Sequence, residues 1–333
     1  MATTPRRVAD DVTPLAGADL ERALESHRRA LVGYCYRMLG SASEAEDAVQ
    51  ETMVRAWASI GSFEGRSSLR TWMYRIATNI CVDMLRSAQR RARPMERGPS
   101  STTGEAVLGD PLGDHVWVHP VADERVIDVG GDPADVAAAR ETIRLAFVAA
   151  LQHLPSRQRS VLILCEVLRW TAAEVASLLG TTVASVNSAL QRARATMAVI
   201  RAEPLDPTVD PAHRALLARY VDAFERYDIP ALVGLLRDDV VLSMPPYGLW
   251  LRGPEDLAGW FLGQGIGCRG GRLLPVDVNG TAGFGSYRLT RPGLWEPFAI
   301  QAVEVAAGRI VGHHNFLYPE RFPEFGLPAR IEA

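Results

Sequence analysis

Apolar residues recur at helical spacing along residues 18–200. Leu20, Leu24, Leu31, Cys35 and Met38 predict one helix over 18–40 that stops at Gly40, a good helix terminator. Ser41 and Ser43 can cap the next helix, whose acids in "SEAED" lie at the positive end of its dipole. There Ala45, Ala48, Val49, Met53 and Ala56 share one face, and Asp47, Gln50, Glu51 and Arg55 share the other. In a third helix Leu69, Met73, Ile76, Ile80 and Met84 form a stripe expected to be buried. Its opposite face is predicted to present Arg70, Thr71, Tyr74, Arg75, Thr78, Asn79, Asp83 and Arg86.

Helical spacing returns at Pro155 and Ser156. Thr171 caps "AAEVASLL", with Glu174 placed three residues on as in a capping box. Gly180 breaks that helix and Thr182 caps another, in which Val183, Val186, Leu190 and Met197 are expected to face inward. Ala176, Gly180 and Val186 have the spacing of a helix-turn-helix: a small residue at the crossing, glycine at the turn, an apolar anchor beyond. Ala184, Ser185, Asn187, Ser188, Gln191, Arg192 and Arg194 are left facing out. Small and amide side chains near the helix N-terminus, with arginines further along, suit a recognition helix in a major groove.

The pattern changes after the Pro/Asp stretch "AEPLDPTVDP" (202–211), read as a hinge. One helix, "HRALLARYVDAFERYD", precedes "IPALVGLLRDDVVLSMPP". Glycine-separated segments of strand character follow: "RLLPVDVNG", "AGFGSYRLT" and "FAIQAVEVAAGRIVGHHNFLYP". Helices followed by a strand-rich half predict an α+β domain with a curved sheet over 212–333.

Charge sharpens this division. The net charge of −3 conceals strong segregation. Arg66–Arg97 holds eight arginines against Asp83 and Glu96, and 140–201 holds eight against Glu141, Glu166 and Glu174. Between them, 98–139 holds eight acids against Arg125. Two basic blocks around an acidic connector suit a two-handed DNA binder. Rich in Gly, Pro, Ser and Asp and without a sustained period, the connector (94–138) is expected to be a linker rather than a packed unit. His115 and His119 lie four apart within it, but the surrounding Gly and Pro argue against a helix, so no metal site is expected. All 36 basic side chains other than histidine are arginine, which stays charged and grips phosphate with a planar fork. The four scattered cysteines signal neither a disulfide framework nor a zinc site. No apolar run approaches the ~20 residues of a membrane span, and "MATTPRRVADDVTP" lacks the apolar middle of a signal peptide, so a cytoplasmic protein with a disordered start (1–17) is expected.

Arginines interleaved with Trp72 and Tyr74 suit single-stranded nucleic acid, where bases stack on rings and phosphates meet guanidinium groups; both aromatics are equally compatible with a core. "SEAEDAVQETMVRAW" with "SLRTWMYRIATNICVDMLR" resembles region 2 of the RNA polymerase sigma factors. "LPSRQRSVLILCEVLRWTAAEVASLLGTTVASVNSALQRAR" resembles region 4. With only a linker between them, the chain resembles the small extracytoplasmic-function type. The resemblance implies two all-α units, region 2 over 18–93 and region 4 over 139–201. It also implies that core RNA polymerase (its β and β′ subunits) docks on Asp47, Gln50, Glu51 and Arg55. The −10 promoter element would meet Arg70, Trp72, Tyr74, Arg75, Asn79 and Asp83, and the loop "SFEGRSS" with Arg66 would capture a flipped base. The −35 element would meet Thr182, Ser185, Asn187, Ser188, Gln191, Arg192 and Arg194. A basic residue often stands in this family where this chain has Asn187 and Ala189. The acidic linker resembles the segment that threads the polymerase channel.

The part beyond the hinge resembles the SnoaL-like group of the nuclear transport factor 2-like fold, a cone-shaped sheet around a pocket. Trp250, Trp260, Tyr287, Trp295, Phe298, His313 and His314 are candidates to line that pocket, and the same aromatics would equally serve as core. Asp238 or Asp239 with a histidine could supply an acid/base pair, although adjacent strand residues point to opposite faces, so at most one of His313 and His314 faces inward. Catalysis, sensing of a small ligand and regulatory docking all stay open for this domain. The leading expectation is a promoter-specificity factor, not an enzyme and without cofactor, tuned by its own C-terminal domain. The alternatives are a ligand-sensing helix-turn-helix regulator and a fusion with a catalytic domain.

Overall fold

The computed structural model describes residues 18–333 apart from 64, 66, 88–98, 114–115, 201–203 and 209. Arg66 and His115 thus lie outside the described residues. The first block comprises α1 (Ala18–Glu25), α2 (Arg28–Leu39), α3 (Ala42–Ser59) and α4 (Leu69–Ser87). The single helix expected over 18–40 is broken at Ser26 and His27, where the His27 N–H donates only three residues back, to the Leu24 carbonyl, and the Ser26 hydroxyl donates to the Ala23 carbonyl. Ser41 caps α3 by accepting from the Glu44 N–H, whereas Ser43 bonds only the Ser41 hydroxyl.

The second block comprises α6 (Pro133–Glu141), α7 (Leu145–Leu151), α8 (Ser156–Leu162) running into a π-turn at Ile163–Val167, α9 (Ala172–Leu179) and α10 (Val183–Val199). The capping box at Thr171 and Glu174 is formed, and Gly180 takes the left-handed turn conformation at φ 59°. Ala176 and Val186 are buried where α9 and α10 cross. Val183 departs from expectation: it is 45% exposed, because the first turn of α10 projects beyond its neighbours.

The C-terminal part holds α11 (Pro211–Arg226), α12 (Ile229–Val233) and α13 (Pro254–Leu262), with β1 (Leu236–Ser243), β2 (Trp250–Arg252), β3 (Arg272–Val278), β4 (Thr281–Arg291), β5 (Leu294–Ala306), β6 (Arg309–Phe316) and β7 (Ile331–Glu332). The strands form one sheet in the order β2-β1-β6-β5-β4-β3, with β7 on the far end of β5. β1 and β6 run parallel; the other pairs are antiparallel, and irregular register in β4, β5 and β1 curves the sheet. Inside the curve, Tyr220 and Phe224 of α11 and Leu257, Trp260 and Phe261 of α13 pack on Val240, Leu242, Val303 and Val305. This is the α+β cone that the sequence predicted.

The outer sheet face belongs to a different core. Tyr287, Ile300, Ala302 and Phe316 join a cluster that runs through Phe322 and Phe325 into α2, α3, α7 and α8. The connector lies at its centre, which corrects the expectation of an unpacked linker. Trp117, Val118, Val121, Ala122, Val126 and Ile127 are buried, the last residues around a short α5 (Asp123–Val126). Apolar residues spaced irregularly can still be buried one by one in a groove that other elements supply. No helix among the described residues is long and apolar enough to cross a membrane.

Candidate nucleic-acid interface

The residues predicted to meet polymerase and DNA lie on three helices, α3, α10 and α4, and are exposed to different degrees. On α3, Asp47, Gln50, Glu51 and Arg55 all reach solvent, with Arg55 paired to Glu51 at 2.7 Å. Val54 and Trp57 lie on the same side, 54% and 49% exposed, and sequence reading passed over them. An exposed tryptophan beside a short charged row is the composition of a protein-docking surface rather than of a solvated helix.

On α10, Thr182 caps the helix through the Ser185 N–H, and Asn187, Ser188, Gln191 and Arg192 are exposed. Ser185 is half-buried, and Arg194 is turned back to an ion pair with Glu166. Short polar side chains at the N-terminal end, a cation one turn later and Val186, Ala189 and Ala193 anchored beneath fit a rigid reader of preformed duplex.

The α4 face differs from its prediction. Asn79 and Asp83 are exposed, Asp83 near Arg86 at 3.4 Å, and half-buried Trp72 stacks on Phe63 with centroids 5.1 Å apart. Tyr74 and Thr78, however, are core residues. Tyr74 is fully buried between Tyr34 and Trp170, 5.2 Å from each, and its hydroxyl donates to the Ala30 carbonyl at 3.3 Å. Thr78 bonds Tyr34 and the Tyr74 carbonyl. Tyr34 of α2 buries both Tyr74 and Thr78 from within the first block, and Trp170, just ahead of α9, closes over Tyr74 from the second. Arg70 lies over the Trp170 ring at 5.2 Å, and Arg75 donates to the Ser177 carbonyl of α9 at 3.0 Å. The basic face of the first block is thus partly covered by the second.

All four parts of the chain meet at one turn. Asn279, fully buried at φ 52° between β3 and β4, donates from its amide nitrogen to the Tyr36 hydroxyl (2.6 Å) and the Ile143 carbonyl (2.8 Å). Its side-chain oxygen accepts from the Val121 N–H at 3.0 Å, and its own N–H donates to the Val121 carbonyl at 3.0 Å. First block, connector, second block and C-terminal domain are joined through one residue. Next to it the Gly280 N–H donates to Asp123 at 2.8 Å. A Cβ on Gly280 would meet the Arg140 carbonyl oxygen at 2.3 Å, so only glycine fits. Arg140 holds Asp123 (3.1 Å) and Asp277 (2.9 Å). Burial pushes the Asp123 carboxyl up to about 6, outweighing the pull of Gly280 and Arg140.

Buried arginines reinforce the junction. Arg159 donates to the Met38, Gln152 and Leu154 carbonyls, and Arg37 donates to Thr142 and Gly33. Arg125 of the connector bridges Glu46 (2.8 Å) and Glu324 (3.2 Å). Of these, Arg159 falls in the 140–201 stretch that charge counting read as a basic block.

The candidate pocket residues are scattered. Of the six tryptophan, tyrosine and histidine candidates, Trp260 lines the cavity inside the cone, which it shares with Phe298. His313 does not line it but bonds the Tyr220 hydroxyl at 2.7 Å, and burial lowers its pKa to about 3, so it is neutral. His314 points the other way, to Ser243 (2.8 Å) and Glu304 (3.6 Å), as strand alternation requires. Tyr287 donates to the Pro328 carbonyl on the outer face, Trp295 donates to the Gly270 carbonyl, and Trp250 lies beside Arg252 on the short β2. Asp239 is exposed and paired with Arg237, and Asp238 is exposed too. Asp239 and His314 both line a second cavity of about 520 Å³, with Glu304 and Arg144, away from the hollow of the cone.

A helical bundle followed by a helix-turn-helix is the arrangement expected of a two-part promoter reader. Comparison with known families agrees: Sigma-70 region 2 matches residues 23–91, and Sigma-70, region 4 matches residues 144–197. The chain belongs to the extracytoplasmic-function (ECF) RNA polymerase sigma factors. It is 41% identical over 321 residues to ECF RNA polymerase sigma factor SigG of Mycobacterium tuberculosis, covering 93% of this chain and 84% of that protein. SigJ of the same organism is 28% identical over 325 residues, covering 92% and 94% of the two chains. The crystal structure of SigJ superposes with a TM-score of 0.59 at 23% identity, over 92% of this chain and all of that one, so the fold with its SnoaL-like C-terminal domain is shared. The chain is a sigma factor that directs promoter recognition and transcription initiation with RNA polymerase.

Proposed function

We propose that the outer face of α3, with Trp57 and Val54 among Asp47, Gln50, Glu51 and Arg55, docks on the polymerase β and β′ subunits. In this reading α4 serves the −10 element through Arg70, Trp72, Arg75, Asn79 and Asp83, and α10 serves the −35 element through Asn187, Ser188, Gln191 and Arg192. The functional divisions fall near residues 93, 138, 201 and 211. The chain is a cytoplasmic specificity subunit rather than a catalyst, and its C-terminal domain inhibits it in cis.

Inhibition follows from distance. Elements named for positions about 25 base pairs apart lie on the order of 80 Å apart along B-DNA, at about 3.4 Å per pair. A chain whose α4 touches α9, with Arg75 3.0 Å from the Ser177 carbonyl, cannot span that distance. The two regions must separate, and Asn279 is the contact that supports this reading, because its bonds to Tyr36, Val121 and Ile143 hold both regions and the connector at once. Run-off transcription with purified core polymerase tests it. Asn279→Ala in the full chain should raise transcript yield several-fold, and a chain ending near Glu203 should do the same. Equal or lower yield from Asn279→Ala would show that the C-terminal domain does not restrain the chain.

A further inference from the structure

We propose that the hollow of the C-terminal cone is a binding site for a small, flat hydrophobic carboxylate, and that Leu108 of the connector is the stopper in its entrance. The walls are apolar and largely aromatic: Phe224, Met244, Trp260, Phe261, Phe298 and Leu317. One charged residue, Arg288, lies among the lining residues. Its guanidinium carbon lies 3.3 Å from the centre of the Phe298 ring, its Nη2 reaches only the Cys268 sulfur at 3.7 Å, and its Nε is buried with no partner. No described carboxylate pairs with it. A cation in such surroundings is costly unless an anion meets it, and a carboxylate matches the guanidinium fork with two parallel hydrogen bonds. Deeper in the cone, Gln301 and Asn315 offer neutral polar groups. The Tyr220 hydroxyl donates to Gln301 at 2.8 Å and, on the same oxygen, receives the His313 Nε2 proton at 2.7 Å. A flat body with one anionic end fits aromatic walls, a polar floor and a lone guanidinium.

The cavity itself measures about 30 Å³, room for a single water. Sites for small organic ligands typically have roughly 300 Å³ or more. Of the lining residues Leu108 alone comes from the connector, and its side chain takes up part of that space. Leu108 lines the cavity and Ala106 is buried in the cone's core, while Val107 between them is 65% exposed, as expected of a strap lying across an opening. The strap is pinned at a few half-exposed points. The Ser101 N–H donates to the Trp250 carbonyl (3.0 Å), Thr103 donates to the Asp256 carboxylate (2.9 Å), and the Leu112 N–H donates to the Pro246 carbonyl (2.9 Å). Ligand and strap compete for one volume, so each weakens the other to the same degree. Binding does not depend on the inhibition proposed above. Only its consequence for transcription does, since the strap continues into the buried connector at Trp117–Ala122.

The test uses the full chain, 2-naphthoate as probe and 2-naphthalenemethanol as its neutral isostere, with calorimetry for affinity and hydrogen exchange for the strap. Leu108→Ala should bind naphthoate about tenfold more tightly than the parent, and at least tenfold more tightly than the alcohol. Arg288→Gln should reduce that preference to within about twofold. Naphthoate should speed exchange of the Ser101 and Leu112 amides in the parent chain. If Leu108→Ala folds poorly, Asp256→Ala, which only unpins Thr103 at the surface, replaces it. An unstrapped variant that melts normally yet takes up neither probe overturns the site. Equal affinity for acid and alcohol overturns the role of Arg288. Tight binding with unchanged exchange at Ser101 and Leu112 overturns the stopper. Because no polymerase is present, failure here is distinct from failure of the transcription test.

Discussion

α10 and α4 are both amphipathic helices with arginines on the face away from the core, yet the molecule treats them differently. α10 leaves Asn187, Ser188, Gln191 and Arg192 in solvent. α4 gives Tyr74 to the core and holds Arg70 and Arg75 against Trp170 and Ser177. A helix that reads intact duplex needs only a stiff, open face. A helix that serves unstacked bases needs aromatic and cationic groups, which are sticky toward any ring and carbonyl nearby. The second block supplies both. With α4 in the role proposed for it, the difference teaches that covering a nucleic-acid face requires no separate inhibitor when another part of the chain carries a suitable tryptophan.

The contrast is broken most strongly at Trp170. Trp170→Ala removes a buried ring shared by Tyr74 and Arg70 and should cost about 3–5 kcal/mol in chemical denaturation. A single-stranded oligonucleotide should then bind several-fold more tightly, with duplex binding through α10 unchanged; parallel changes in both would show that the two faces are not independent.

Acid should tighten the arrangement by a smaller amount. The Asp123 carboxyl is raised from 3.8 to about 6 where it is buried against Gly280 and Arg140, so the folded state holds a proton that the unfolded chain has released. The burial penalty on the carboxylate is full above about pH 6 and disappears as pH falls toward 4. Stability of the junction should therefore rise over that window by up to about 3 kcal/mol. Melting temperatures between pH 7.5 and 5 check this, since Asp123→Asn should flatten the trend. A junction that weakens on acidification would mean that the Arg140 pairing dominates.

The finest distinction lies within α10. Arg192→Ala should weaken duplex binding across sequences and lower the salt slope by about one. Asn187→Ala should instead relax preference at one or two positions by about 1–3 kcal/mol. Band-shift titrations at two salt concentrations separate these effects.

α10 was legible in the sequence because everything that shapes it is local: the Thr182 cap, the Gly180 turn and the apolar spacing. α4 was only half legible. Nothing near Tyr74 announces Trp170, which lies almost a hundred positions away, and an aromatic among arginines reads equally well as surface or core. The same limit governs Arg37 and Arg159, which count as surface charge until Thr142, Met38 and Gln152 surround them. In the C-terminal domain the cone was visible from helix and strand order. Its pocket was not, because a strand's facing is undetermined without register, and most of the proposed aromatics pack elsewhere. The Asn-Gly at 279–280 looks like any hairpin turn. Its role emerges only when three distant segments present Tyr36, Val121 and Ile143 to one amide.

A tie made within a single chain has a consequence for dosage. Tyr36, Val121 and Asn279 are always present at equal number and at a fixed local concentration, however many copies the cell makes. Under the inhibition proposed above, the fraction of chains held shut is a ratio of two conformers, independent of copy number. Raising expression scales the pool available to polymerase in proportion, with no threshold of the kind that titrating a separate inhibitor would create.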